Sequence, residues 1–202
     1  QIYKAYGIHP MALGQDPLDL QMKTLERRLQ ETNVVAVGEI GLDKRPGMPD
    51  MALQLQAFTA QLSLAAKMNL PVILHSVKTG ETVLREIRKQ DSVPCGGLWH
   101  GYTGSPEFMK QIISAGLHVS FGGHVTYAQS KKCRVSATEI DLQRLLVESD
   151  CPDHPPYPSQ PNLNEPKSLR YTVAEIAKLR GEPASRIKKQ TAENAMRLFQ
   201  IG

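Results

Sequence analysis

Cysteine is scarce: Cys95, Cys133 and Cys151 are the only three in 202 residues, far apart and without a CxxC pair. That number and spacing exclude a disulfide framework and a cysteine zinc site, and point to a reducing compartment, the cytoplasm. Long apolar runs are missing too. The longest, such as 34–37 and 72–74, are strand-sized, far short of the ~18 residues that cross a bilayer, so no membrane association is expected. No basic-then-apolar opening marks a secretory signal. No GxGxxG or GxxxxGK follows a candidate strand, which removes support for dinucleotide and P-loop readings. Neither charge sign dominates: 24 Lys and Arg against 20 Asp and Glu leave +4, a balance that permits an acidic partner without requiring one. The opening residue is Gln1 rather than Met, and the expectation is that the chain is a fragment of a longer protein.

What is present is alternation. Strand-like runs at 2–8, 34–39, 72–75, 97–100, 117–121 and 145–149 are separated by helical patterns. Asp16 and Pro17 open a helix carrying Leu18, Met22, Leu25 and Leu29; Met51, Leu55, Phe58, Leu62 and Ala65 repeat in the same way. Val83, Leu84 and Ile87 form a shorter pattern, and Ser105–Pro106 caps another with Phe108, Met109, Ile112 and Ile113. The basic segment 127–138 is the weakest helix; two more helices close the chain near 168–180 and 183–199. The proline-rich stretch 151–166 reads as a long loop. Strands alternating with helices at this spacing predict the α/β class with a parallel sheet, specifically a TIM-type (β/α) barrel forming one domain over 1–202.

In such a barrel the reactive groups sit at the C-terminal strand ends. Four strands end in a metal-binding type: VVAVGE at Glu39, PVILH at His75, GGLWH at His100 and LLVESD at Asp150. Period-2 alternation places Val35, Val37 and Glu39 on one face, and likewise Ile73 with His75 and Leu98 with His100. Two imidazoles and two carboxylates suit a divalent ion. Each also has a plainer reading: a hydrogen-bonded structural histidine, a loop carboxylate at Glu39, a turn-opening Asp150 before Pro152. The four in one register weigh more than any one of them. His9, in GIHP, is a turn residue or a contact for substrate phosphate; His124, after Gly122–Gly123, is placed at the site mouth or in a plain loop. Glu148 shares parity with Asp150 and would orient a ligand from behind. His118 reads as structural and His154 as a solvated loop residue. Lys131, Lys132 and Arg134 form a solvated helix face or a phosphate-attracting rim. Tyr102 and Tyr127 are too few to argue base stacking.

GIHP at 7–10, AVGEIGLD at 36–43, LPVILHS at 70–76, HGYTGS at 100–105 and ESDCP at 148–152 resemble the TatD family of metal-dependent deoxyribonucleases. GGHVTY at 122–127 is similar to the YjjV-type branch, with its GG-x-x-TY segment. The resemblance runs over essentially the whole chain and implies two divalent ions, Mg²⁺, Mn²⁺ or Zn²⁺. It makes Glu39 a ligand shared by both, His75 and His100 ligands of one, and Asp150 the partner of the other ion and its water. Glu39 and Asp150 become the catalytic candidates, with His9, His124 and Tyr127 as substrate contacts. The implied reaction is cleavage of DNA phosphodiester bonds, with DNA as partner and no obligate protein partner.

One departure stands against this match. The family opens with a strand ending in HxH, and no HxH occurs here. A barrel lacking its first two βα units is expected, with little or no nuclease activity from these 202 residues alone. Alternatives are an amidohydrolase or lactonase acting on a small molecule, and a non-catalytic barrel remnant.

Overall fold

A computed structural model describes residues 2–90, 93–157 and 164–202. The chain divides into two compact units, Gln1–Leu98 with Leu198–Ile201, and Trp99–Arg197 with Gly202. In the first, strands β1 (Lys4–Tyr6), β2 (Val34–Asp43) and β3 (Val72–Val77) alternate with helices α1 (Leu18–Arg28), α2 (Met51–Met68) and α3 (Gly80–Gln90). Both strand pairs, β1 with β2 and β2 with β3, are parallel. Strand β4 (Gly97–Trp99) begins in this unit, where Val72 N donates to Gly96 O at 3.3 Å. Helix α2 shows why the segment is helical. Asp50 caps its start by accepting from Ala52 N, and Asn69 ends it in the left-handed conformation at φ 56°. Between them Phe58 and Leu62 are fully buried, each contributing roughly 1.5–3 kcal/mol.

The second unit takes the end of β4, then α4 (Pro106–Ser114), β5 (His118–Phe121), α5 (Lys131–Glu139), β6 (Leu145–Val147), α6 (Leu169–Arg180) and α7 (Ala184–Phe199). Strands β5 and β6 are parallel. Tyr102 N donates to Ser120 O at 3.0 Å, tying the chain after β4 to β5. Ser105 accepts from Phe108 N and Pro106 follows, so α4 starts where the cap signal lies. Val119, Phe121 and Leu145 are fully buried.

Parallel strands alternating with helices are the α/β fold expected, and the basic segment does form a helix. Strand limits differ from the sequence reading. β2 runs four residues past Glu39 to Asp43, and β3 two past His75 to Val77. Glu39 is therefore inside a strand, and the pairing register shifts between Val37 and Ile40, so unbroken alternation through Glu39 does not hold. Of the proline-rich stretch, 151–157 forms turns and Pro166 opens a short 3₁₀ turn before α6; positions 158–163 lie outside the described residues. The three cysteines are free thiols. Among the described residues, no helix is long and apolar enough to cross a membrane.

Candidate functional site

Two groups of donors form, one in each unit. In the first unit His9, Glu39 and His75 offer donor atoms that all lie within 4.8 Å of one another. The GEIGLD run makes this possible. Gly41 has φ 150°, and a Cβ there would sit 1.9 Å from the His75 carbonyl oxygen, so only glycine lets β2 run this close to the residue that carries the imidazole. His75 Nε2 lies 3.0 Å from Asp43 Oδ2, and Nδ1 lies 3.7 Å from Glu39 Oε2. A carboxylate accepts only, so the ring proton sits on Nε2 and the Nδ1 lone pair faces Glu39. This is the carboxylate–histidine arrangement that orients a metal ligand.

Asp43 is fully buried and gripped by Arg45, whose Nη2 and Nε donate to Oδ2 at 2.5 and 2.8 Å while its amide donates to Oδ1 at 2.8 Å. Burial by itself would raise this carboxyl's pKa, but the Arg45 and His75 hydrogen bonds outweigh it and hold the group at about 2. Asp43 is therefore an anion that fixes the His75 tautomer. His9 differs from His75. Its Nδ1 accepts from Met11 N at 3.1 Å, and burial, then the neighbouring His75, push its pKa down. A neutral ring with Nδ1 accepting carries its proton on Nε2, which can then donate to an oxygen anion.

In the second unit His100 lies just past β4 and Asp150 three residues past β6. His100 Nδ1 is 2.8 Å from Glu148 Oε2, and His100 Nε2 is 3.6 Å from Asp150 Oδ1. Glu148 also accepts from Gly101 N at 2.8 Å and from the Ser120 hydroxyl. With Nδ1–H given to Glu148, the Nε2 lone pair turns toward Asp150. One histidine nitrogen and one carboxylate oxygen then converge as a cation requires. Asp150 has φ 55°, a left-handed conformation that aspartate tolerates better than most residues and that is frequent at functional positions.

The GGHVTY segment grips the loop that follows Asp150. A Cβ on Gly123 would meet the His154 carbonyl oxygen at 2.2 Å. Thr126 Oγ1 accepts from Tyr157 N at 2.7 Å, and the Tyr127 hydroxyl donates to Pro155 O at 2.5 Å. Tyr127 thus has its hydroxyl engaged with the loop. His124 and His154 face each other with ring centroids 4.4 Å apart, and His154 Nε2 is 3.8 Å from Asp150 Oδ2. Burial, then the charge of His154, lower the His124 pKa. His154 is in an exposed loop, as the sequence suggests, yet its ring belongs to the surroundings of Asp150. His118 is buried at the start of β5.

The family model described as TatD related DNase matches residues 1–200. The chain belongs to the TatD family. Its structure matches the crystal structure of YjjV, a TatD homolog from Escherichia coli K12, with a TM-score of 0.92 and 34% identity over 99% of this chain and 77% of that one. It is 35% identical over 203 residues to the uncharacterized metal-dependent hydrolase YabD of Bacillus subtilis, across 99% of this chain and 78% of that protein. It is 33% identical over 200 residues to a protein of Erwinia tasmaniensis named 3'-5' ssDNA/RNA exonuclease TatD, across 96% of this chain and 77% of that protein. The chain is a metal-dependent hydrolase of the TatD family.

Several residues that build this TatD-family site carry no motif that sequence reasoning used. Gln54 and Gln61 are buried, seven apart on one face of α2. Gln54 Oε1 accepts from Asp43 N at 2.8 Å while its Nε2 donates to Asp43 O at 3.0 Å. Gln61 does the same for Ile8, beside His9, at 2.6 and 3.2 Å. Asn164 donates to the carbonyls of Ser149 and Asp153, on both sides of Asp150. The available signal was two glutamines at heptad spacing among apolar positions, a pattern that costs free energy unless both amides are satisfied.

Proposed function

We propose that the full-length protein bearing this sequence hydrolyses phosphodiester bonds of DNA with two divalent ions, Mg²⁺, Mn²⁺ or Zn²⁺, and that residues 1–202 serve one hydrolase domain in it. The observation that carries the reading is that each ring, His75 and His100, has one nitrogen held by a carboxylate and the other turned to a further carboxylate. The donor set fits such ions: two imidazoles and two carboxylates, Glu39, His75, His100 and Asp150, would hold them. When bound, such ions supply Lewis acidity that polarises a phosphate oxygen and lowers the pKa of water.

The chain's own residues do the rest. Asp43 and Glu148 keep His75 and His100 in the ligating tautomer. His9 donates its Nε2–H to a phosphate oxygen. Asp150 takes the proton from the water that attacks phosphorus; the bond to the leaving nucleotide breaks, and its oxygen is then protonated. The relative named as a ssDNA/RNA exonuclease supports nucleic acid as the substrate class. We place the activity in the cytoplasm, where free thiols such as Cys151 persist.

The test is a panel of DNA oligomers, a simple phosphodiester, amides and a lactone, assayed with each ion. Glu39→Gln and Asp150→Asn are expected to abolish DNA cleavage, by about 10³-fold or more. A preference for amides or lactones, or both variants keeping most of the activity, overturns the assignment. Because binding would run through phosphates, weak sequence preference and affinity falling steeply with salt are also expected.

A further inference from the structure

The second unit, which carries Asp150, contains a cavity of about 500 Å³ that the proposed hydrolysis does not use. Lys131 and Lys132 line it, together with Thr103, Ser130 and His124, and no carboxylate is among its lining residues. Both lysines are exposed, and neither lies within ion-pair distance of a carboxylate among the described residues. Ser130 stands at the start of α5, and its hydroxyl makes no capping bond. The neighbouring cation of the same basic run is not available: Arg134 Nη1 donates to Val125 O at 2.9 Å and to Glu175 Oε1 at 2.7 Å. The run that reads as one basic face in the sequence is thus divided into one structural arginine and two lysines at a cavity, with Glu107 near enough to feel the charge of Lys132 but not within ion-pair distance.

The cavity leads back to the site through histidine. His124, on its wall, faces His154 at 4.4 Å, and His154 Nε2 lies 3.8 Å from Asp150 Oδ2. A track of polar and cationic groups therefore runs outward from the carboxylate to Lys131 and Lys132. Its chemistry, point charges on flexible stems with hydroxyls between them, suits the singly charged phosphates of an extended strand.

We propose that this cavity is a subsite for a backbone phosphate neighbouring the one that is cut, so that the substrate is a nucleic-acid strand engaged over more than one phosphate. The proposal rests on the phosphodiesterase reading above. It selects strands over isolated phosphodiesters, because a small diester cannot occupy the track and the ligand cluster together.

The experiment is fluorescence anisotropy of a labelled oligothymidylate with the full chain in EDTA, comparing wild type with Lys131→Gln/Lys132→Gln across a salt series. Two lost phosphate contacts on a single strand should lower the slope of log K against log salt by about 1.4. Affinity at low salt should fall about tenfold or more. In parallel, inorganic phosphate is titrated while the His124 ring resonances are followed by NMR; they should move in wild type and stay still in the double variant.

Unchanged affinity and slope in the double variant overturn the subsite, and DNA cleavage by wild type would leave the phosphodiesterase reading standing. Competition by polyglutamate as effective as by oligothymidylate also overturns it, since the cavity would then be a general anion trap. If wild type does not bind DNA while phosphate still moves His124, the strand subsite fails and a plain phosphate site is left, whatever the cleavage panel shows.

Discussion

The two donor groups are built by different means. In the first unit the sheet does the positioning: Glu39 and His75 sit inside β2 and β3, and the carboxylate behind His75 has its charge shared with Arg45. In the second unit His100 and Asp150 lie beyond the ends of three-residue strands, and side chains do the positioning. There the carboxylate behind His100 accepts from Ser120 and the Gly101 amide, with no lysine or arginine paired to it among the described residues. A guanidinium that neutralises Asp43 weakens its pull on the His75 proton. Glu148 has no such cation beside it among the described residues, so it is expected to hold the His100 proton the more strongly.

The largest effect separates sheet from loop. Gly41→Val would drive a side chain into the His75 carbonyl at a position with φ 150°, and should cost more than about 4 kcal/mol, enough to leave little folded protein. Gly123→Ala meets the His154 carbonyl in the loop. A loop yields to a clash more readily than a strand paired on both sides, so a loss of about 1–3 kcal/mol with a displaced 154–157 segment is expected. Urea unfolding of both variants checks this; equal losses would break the contrast. Next in size is metal affinity. Glu148→Gln and Asp43→Asn should each weaken binding of Mn²⁺ or Zn²⁺ by roughly 10–100-fold, the Glu148 variant toward the upper end. Calorimetric titration ranks them, and the reverse order would show that Arg45 does not temper Asp43.

The same difference explains what could be read in advance. Buried β-branched runs and helical spacing disclose the α/β fold, because Val37, Val72, Phe58 and Leu62 announce their faces through periodicity alone. The ligand types at 39, 75, 100 and 150 stand out for the same reason, as polar residues after apolar strands. Asp43 closes the AVGEIGLD motif, but its role stayed hidden because it comes from a contact with His75, 32 positions away. The end of β2 was misjudged because the register shift at Gly38–Glu39 has no signature in residue types. Asn164 and the glutamines of α2 act through backbone atoms of distant strands, and pairing across such separations follows only from the fold.

A smaller effect tests the clamp on the second group. Tyr127→Phe removes only the hydrogen bond to Pro155 O and should cost about 1 kcal/mol. Hydrogen exchange should quicken in 151–157 and stay unchanged in β2 and β3. Exchange that rises equally in both units would mean that the loop is not the part Tyr127 secures.

The smallest effect is a pH dependence of stability carried by His118 in the second unit. His118 is buried in β5 with Nδ1 lacking a hydrogen-bond partner in the described structure. Burial, then the charges of Arg144 and Arg197, push its pKa down to about 4, against a hydrogen bond at Gln143 that acts to raise it. The unfolded chain takes up this proton near 6.5, so the folded state binds fewer protons between about 6.5 and 4. The associated stability is complete above 6.5 and is lost as pH falls through that window. Between pH 7.5 and 6 the loss should stay below about 1 kcal/mol, growing further toward pH 4. Trp99 is the only tryptophan and packs edge-to-face on Phe108 within the same unit, so its fluorescence in urea titrations reports on this part of the chain. His118→Leu should flatten the pH dependence. An equally steep dependence in that variant would move the cause from His118 to another group.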